Sequence, residues 1–216
     1  MFCIGPIQIT SVIITEFALV ILLTVLSIIA TRNMKVRPTG LQAFAEKMVD
    51  MMHGFISGIV GPKLIDRYFP YLATLYIFIL CSSYTGLLPF AGELWGLKAP
   101  TTAISVTATL AIMTFFLTHY TGARAHGIKY LGHFCKPVVF LLPLMLVEEL
   151  VRPLSLTLRL FGNTFGDEAV TAQMFGLVPI GVPIIMQLLG LLMGLVQATV
   201  FVLLSGIYFN LAAEEE

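Results

Sequence analysis

Long apolar runs separated by short polar ones set the character of this chain. Crossing a bilayer as a helix takes about 20 mostly apolar residues, and five stretches fit: residues 12–30, 69–90, 101–120, 137–175 and 183–211. Glu16 is the single charge in the first, Arg67 and Pro89 bound the second, and the fourth is long and interrupted by polar side chains. Residues 41–61 differ. There Phe44, Met48, Met51, Met52 and Phe55 recur at helical spacing while Glu46, Lys47, Asp50 and His53 fall largely elsewhere. That pattern predicts an amphipathic helix lying in the membrane interface, with a soluble linker helix as the alternative. The expected fold is an all-α polytopic membrane protein, a single membrane domain over 1–216 with about five membrane helices and one interfacial helix.

Composition sharpens this. Of 216 residues, 58% are hydrophobic and 11% charged, with a mean hydropathy of +0.95, whereas a soluble domain carries about 25% charged residues. A soluble enzyme, a disordered chain and a nucleic-acid binder, which needs a basic face, are thereby excluded. The 12 basic and 12 acidic side chains cancel, so their placement carries the information. Arg32, Lys35 and Arg37 form one basic loop and Arg124, Lys129 and Lys136 another, while the loop near Glu93 and Lys98 is balanced. The positive-inside rule places both basic loops in the cytoplasm, the N-terminus outside and the acidic Glu214 to Glu216 tail inside. No Lys or Arg precedes the first apolar stretch, so it reads as a retained helix and not as a signal peptide. Cys3, Cys81 and Cys135 are odd in number, far apart and without CxxC spacing, and read as free thiols. No repeat is visible, and polar residues at membrane depth concentrate in the C-terminal half, which argues against an inverted-repeat transporter.

The segment from Glu148 to Glu168 carries six ionisable side chains inside hydrophobic sequence. A charge at the bilayer centre costs at least about 2.5–3.5 kcal/mol, so such residues face a partner or water and mark an ion path by default. At about 100° per residue, Glu148, Arg152, Ser155, Arg159 and Asn163 share one stripe, and Thr157, Thr164 and Glu168 lie nearly opposite. Two polar stripes on one membrane helix suggest two aqueous routes, with Pro153 allowing a bend between Glu149 and the Arg159 turn. Arg152 has Glu148 one turn away. Arg159 has only Ser155 and Asn163 at that spacing, and an arginine keeps its proton at any usable pH. It therefore seeks a carboxylate from elsewhere, Glu16 being the candidate within the chain. In the last span Gly190 and Gly194 form a small-xxx-small pair suited to close helix packing. Gln197 there is either a structural hydrogen-bonder or part of an ion path.

The run from Pro153 to Glu168 (PLSLTLRLFGNTFGDE), the helix around Leu195-Val196-Gln197-Ala198 and the upstream stretch from Phe69-Pro70 to Leu88-Pro89 resemble subunit a of F-type ATP synthases. The resemblance covers most of the chain from about residue 40. It implies the membrane stator of a rotary motor, with 137–175 and 183–211 forming a long tilted hairpin against a ring of c subunits. It implies ion translocation by Arg159, Asn163, Glu168 and Gln197, with Glu148, Arg152, Ser155 and Ser105 as secondary candidates. It further implies a subunit b peripheral stalk as partner, no cofactor or metal, no catalysis by the chain alone, and H⁺ or Na⁺ as the transported ion. A bacterial inner membrane is the expected location, chosen over a plastid thylakoid on the loop charges. Three positions depart from the pattern. Ala103 and Ser105 stand where relatives commonly carry Asp and Asn, and Gly190 where they often have an ionisable residue. The outer half-channel is then expected to rely on Glu168, Gln197, Ser105 and water.

Two other classes have less support. An intramembrane enzyme would rest on His119, His126 and His133, but Gly122, Gly127 and Gly132 interrupt any helix stacking them and no HExxH occurs. A free-standing channel would share the spans and lack the ring.

Overall fold

The computed structural model describes residues 2–4, 7–9, 11–32, 40–62, 64–86, 99–126, 142–177 and 181–214. It is helical throughout apart from one short hairpin. Strands β1 (Phe2–Ile4) and β2 (Ile7–Ile9) pair antiparallel with Phe2 opposite Ile9, an element the hydropathy pattern did not signal. Then follow α1 (Ser11–Thr31), α2 (Leu41–Val60), α3 (Ile65–Thr85), a 3-10 turn at Pro100–Thr102, α4 (Ile104–His126), α5 (Leu142–Leu177) and α6 (Val182–Glu214). The all-α polytopic class is the one observed. Among the described residues three helices are long and apolar enough to cross a membrane, at Ser11–Thr31, Ile104–Ala125 and Ile184–Ala213. Helices α2 and α3 meet these requirements together, as a pair bent by 118°. The charges between Glu148 and Glu168 set α5 apart from the uniformly apolar spans.

Each buried face can be read from its spacing. On α3, Ile65, Tyr68, Leu72, Leu75 and Ile79 recur every three or four residues and are all buried. They meet Phe201, Val202 and Phe209 of α6, Leu156 and Leu160 of α5, and Ile56 and Val60 of α2 in one core. The contributing face of α4 is polar by composition: Ala111 is flanked by buried Thr107, Thr114, Thr118 and Thr121. Thr114, Thr118 and Thr121 each donate a hydroxyl proton to the carbonyl four residues back. With its hydroxyls paired internally, this face presents short side chains that let neighbouring helices approach, the usual device for helix packing in membranes. Tyr71 of α3 adds a cross-helix bond to Thr114, 2.9 Å.

Helix α2 is amphipathic as expected, with a correction to its buried stripe. Met52, Ile56 and Val60 pack inward, while Phe44, Met51 and Phe55 stay open. Gly61, at φ +79, makes the turn into α3. Helix α1 is peripheral: it buries only Val12, Thr15 and Leu19 and exposes Phe17, Ile21 and Ile28.

Candidate functional site

Helix α5 runs unbroken through Pro153, so both polar stripes lie on a single rod. Its inward side carries Leu156, Thr157 and Leu160, all buried. Its outward side carries Val151, Leu154, Leu158 and Phe165, about half exposed each, and α6 continues this apolar surface with exposed Leu188, Leu192, Leu195 and Val196. Arg159 emerges exposed at the border of that surface. It has no acidic partner and no hydrogen bond among the described residues, Glu16 included. The internal ion pair with Glu16 that the sequence allows is absent among the described residues.

The neighbouring arginine behaves oppositely. Arg152 donates to Glu148 Oε1 at 3.0 Å and pairs with Glu149 Oε2 at 3.3 Å, and its guanidinium lies 5.2 Å from the ring centre of Tyr208 on α6. These contacts tie Glu148, Glu149 and Arg152 into a clasp between α5 and α6, beside a small cavity that Thr114 and Thr118 also line. The sequence reading named only Glu148, although Glu149 also stands at helical spacing; the Tyr208 contact depends on how α6 docks.

Asn163 and Gln197 come together. Asn163 Nδ2 donates to Gln197 Oε1 at 2.7 Å, joining α5 to α6 one turn beyond Arg159. Gln197 is buried, so its carboxamide holds Asn163 from behind and Asn163 remains on the exposed side with Arg159. Ser155 is half-buried one turn before Arg159.

Glu168 sits on the other side of the helix. Its Oε1 accepts the backbone N–H of Ala99 at 3.3 Å, just before the 3-10 turn, and lies 3.0 Å from where a Cβ would stand at Gly86. This acid is therefore drawn inward, to the end of α3 and the start of α4. Ser105 does not join it: Ser105 is exposed on α4, where its carbonyl accepts the Thr109 hydroxyl. Gly86 and Ala99, which meet Glu168, lie close in sequence to the buried hydroxyl residues Ser82, Ser83 and Thr101 at the end of α3 and on the 3-10 turn. Sequence reasoning passed over these three, because isolated serines and threonines in a span usually bond their own helix. Of the cysteines, Cys81 is a free thiol; Cys135 lies outside the described residues. His133 does too, and His119 packs edge-on against Phe115 at 4.2 Å.

The class these features define is a polytopic helical membrane protein, with an arginine unpaired among the described residues beside an apolar hairpin face and an acid turned the opposite way. The comparisons specify the family. The family model described as "ATP synthase A chain" matches residues 12–210. "ATP synthase subunit a" of Trichlorobacter lovleyi is 43% identical over 203 residues, 92% of this chain and 85% of that protein. "ATP synthase subunit a" of Moorella thermoacetica is 41% identical over 208 residues, 96% of this chain and 92% of that protein. "ATP synthase subunit a 3" of Pelobacter propionicus is 43% identical over 201 residues, 91% and 85% respectively. The chain belongs to the ATP synthase subunit a family, a non-catalytic membrane component of that complex.

Proposed function

We propose that this chain is the ion-translocating stator of a rotary F-type ATP synthase, in which two half-channels and Arg159 exchange ions with carboxylates carried on a ring of c subunits. The observation that supports it best is Arg159 itself, exposed and without an acidic partner among the described residues, at the edge of a broad apolar surface made by α5 and α6. Lipid cannot stabilise that charge; a carboxylate on an adjoining protein can. As a ring carboxylate arrives, the fixed positive charge lowers its pKa and favours release of its ion. The same charge repels ions attempting to pass straight between the two half-channels. Each elementary charge crossing 100 mV then releases about 2.3 kcal/mol, which the turning ring carries away for ATP synthesis.

Glu168 on the inner side, and Asn163 with Gln197 beside Arg159, supply polar groups for the two routes, consistent with the opposed stripes of α5. The ring is the principal partner and a subunit b stalk the second. A bacterial inner membrane, with the N-terminus outside and the C-terminus in the cytoplasm, is the setting this reading requires. The test is ATP-driven ion uptake by inverted vesicles carrying Arg159→Ala, with ring content checked by co-purification. Lost pumping in an assembled complex is expected; normal pumping would refute the reading.

A further inference from the structure

We propose that the start of α3 and the end of α4 form a binding site, at Arg67, Tyr120 and Arg124, for the phosphate headgroup of one anionic phospholipid whose acyl chain lies along α4. The site uses none of the residues placed in the ion path and stands independently of the stator reading. Two contacts fix how the helices run. A Cβ at Gly86, just past α3, would stand 2.9 Å from the Ala99 Cβ, just before the 3-10 turn that leads into α4. Tyr71 of α3 bonds Thr114 of α4 at 2.9 Å. Fifteen residues separate these two contacts along each segment, so α3 and α4 run antiparallel in matched register. Four residues further on, Arg67 falls level with Thr118, about half a turn from Tyr120.

The side chains at this level converge. Arg124 Nη1 donates to the Tyr120 hydroxyl oxygen at 3.2 Å, and the charge of Arg67 acts on the same hydroxyl from α3. The Arg67 guanidinium lies 6.0 Å from the ring centre of Tyr68. Both arginines and Tyr120 are exposed, and neither arginine meets a carboxylate among the described residues. Asp66 is the acid beside Arg67 in sequence, but successive residues project about 100° apart around a helix. Tyr120 accepts from Arg124 and keeps its own proton to donate. Two guanidinium groups and a hydroxyl therefore offer donors and positive charge to one point.

The chemistry selects the ligand. A phosphodiester carries one negative charge on oxygens that only accept, and the guanidinium fork matches it with paired hydrogen bonds. The surface of α4 makes that ligand a lipid. Ile112, Phe116 and Tyr120 are exposed one turn apart, and Arg124 follows at the same spacing. From Ile112 to Arg124 this stripe covers about 18 Å, close to half of a hydrocarbon core about 30 Å thick. An acyl chain lying on it brings its headgroup to Tyr120 and Arg124. Single basic and aromatic residues at helix ends anchor many spans at headgroup level. Here two arginines from different helices address one hydroxyl, which makes a focused site and not a diffuse positive rim.

The test holds the assembled complex in phosphatidylcholine nanodiscs with a trace of phosphatidylglycerol bearing a photoreactive diazirine at its chain end. A phosphatidylcholine probe with the same chain is the comparison, and labelling of α4 is mapped by mass spectrometry. Two arginines near an anionic headgroup favour it by up to about thirtyfold, so the phosphatidylglycerol probe should label α4 at least about fivefold more strongly. Arg67→Gln/Arg124→Gln should bring the two probes within about twofold of each other. Equal labelling in the unaltered complex, or an undiminished preference in the double variant, overturns the site. Should the double variant not assemble, unlabelled phosphatidylglycerol is titrated into discs of the unaltered complex. A discrete site saturates, so trace labelling should fall about fivefold or more; labelling that stays constant reflects bulk mixing and overturns it. Replacing Phe116 by p-benzoylphenylalanine checks what covers this face: a photo-cross-link to lipid is expected, and one to another polypeptide overturns the proposal.

Discussion

Replacing Gln197 by Glu tests whether Arg159 acts because it lacks a partner of its own. Gln197 Oε1 accepts the Asn163 amide at 2.7 Å, and Asn163 is one turn from Arg159, about 6 Å between their Cβ atoms; a carboxylate at 197 is taken to act on the guanidinium from a similar distance. Opposite unit charges at that distance attract by about 3 kcal/mol at an effective dielectric constant of about 20. An internal counter-ion of that strength competes with the ring carboxylate for Arg159 and should slow turnover about 100-fold, at 1.36 kcal/mol per decade. Gln197→Leu is the comparison, since it removes the hydrogen bond and adds no charge. Interhelical bonds in membranes are worth about 0.6 and at most about 1.7 kcal/mol, so its loss should reach between about threefold and about twentyfold. ATP-driven acidification in vesicles of equal ring content reads both. The opposing effect is burial: Gln197 is 4% exposed, and desolvation favours a neutral carboxyl group, which would mimic the amide. If Gln197→Glu pumps as well as Gln197→Leu or better, the new group is neutral or too far from Arg159, and the competition argument fails.

Glu168→Gln keeps an acceptor for the Ala99 N–H and removes the titratable group; it should slow pumping at unchanged ring co-purification, and unchanged flux would take Glu168 out of the path. Gly86→Ala places a methyl 2.9 Å from Ala99 and 3.0 Å from Glu168, so it should impair pumping. Gly58→Ala, with open space around it, should be neutral or stabilise α2 by up to about 1 kcal/mol, measured as the thermal midpoint of the complex. Arg152→Met should lower that midpoint, because it leaves Glu149 without its partner and removes the contact with Tyr208. Pumping per assembled complex should survive, and a complete loss would move Arg152 from the clasp into the ion path.

How much of this was legible in the sequence follows from what each signal measures. Hydropathy reports transfer into lipid, so it marked α1, α4 and α6 plainly. It also singled out α5, where charges persist despite their cost. Helical periodicity then separated the two stripes correctly, because on an unbroken helix angle is a function of residue number alone. What it could not give is the identity of the neighbour across each stripe. Glu168 meets Ala99, 69 residues away, and Asn163 meets Gln197, 34 residues away; such pairs depend on how helices are docked. The same limit misplaced Ser105, a polar residue at a promising position whose helix happens to turn it outward. It also hid Ser82, Ser83 and Thr101, which are unremarkable in the sequence and whose burial only the packing reveals.

The opposed fates of the two arginines show why docking decides function here. Both lie on α5, seven residues and roughly 20° apart, with apolar neighbours, and from sequence only Glu148 distinguished them. Glu149, three residues back on α5, joins Glu148 on Arg152, packing adds Tyr208 of α6, and Arg159 is left with nothing to bond among the described residues. A charge so clasped is satisfied within the chain and gains little from an outside partner. A charge left open at an apolar surface is unstable until a carboxylate arrives, and it stays equally available to each carboxylate that follows. A motor that serves many identical sites in turn requires the second arrangement, since an internal partner would have to be displaced at every step. On the proposed stator reading, the lack of a counter-ion beside Arg159 among the described residues lets one fixed charge be reused.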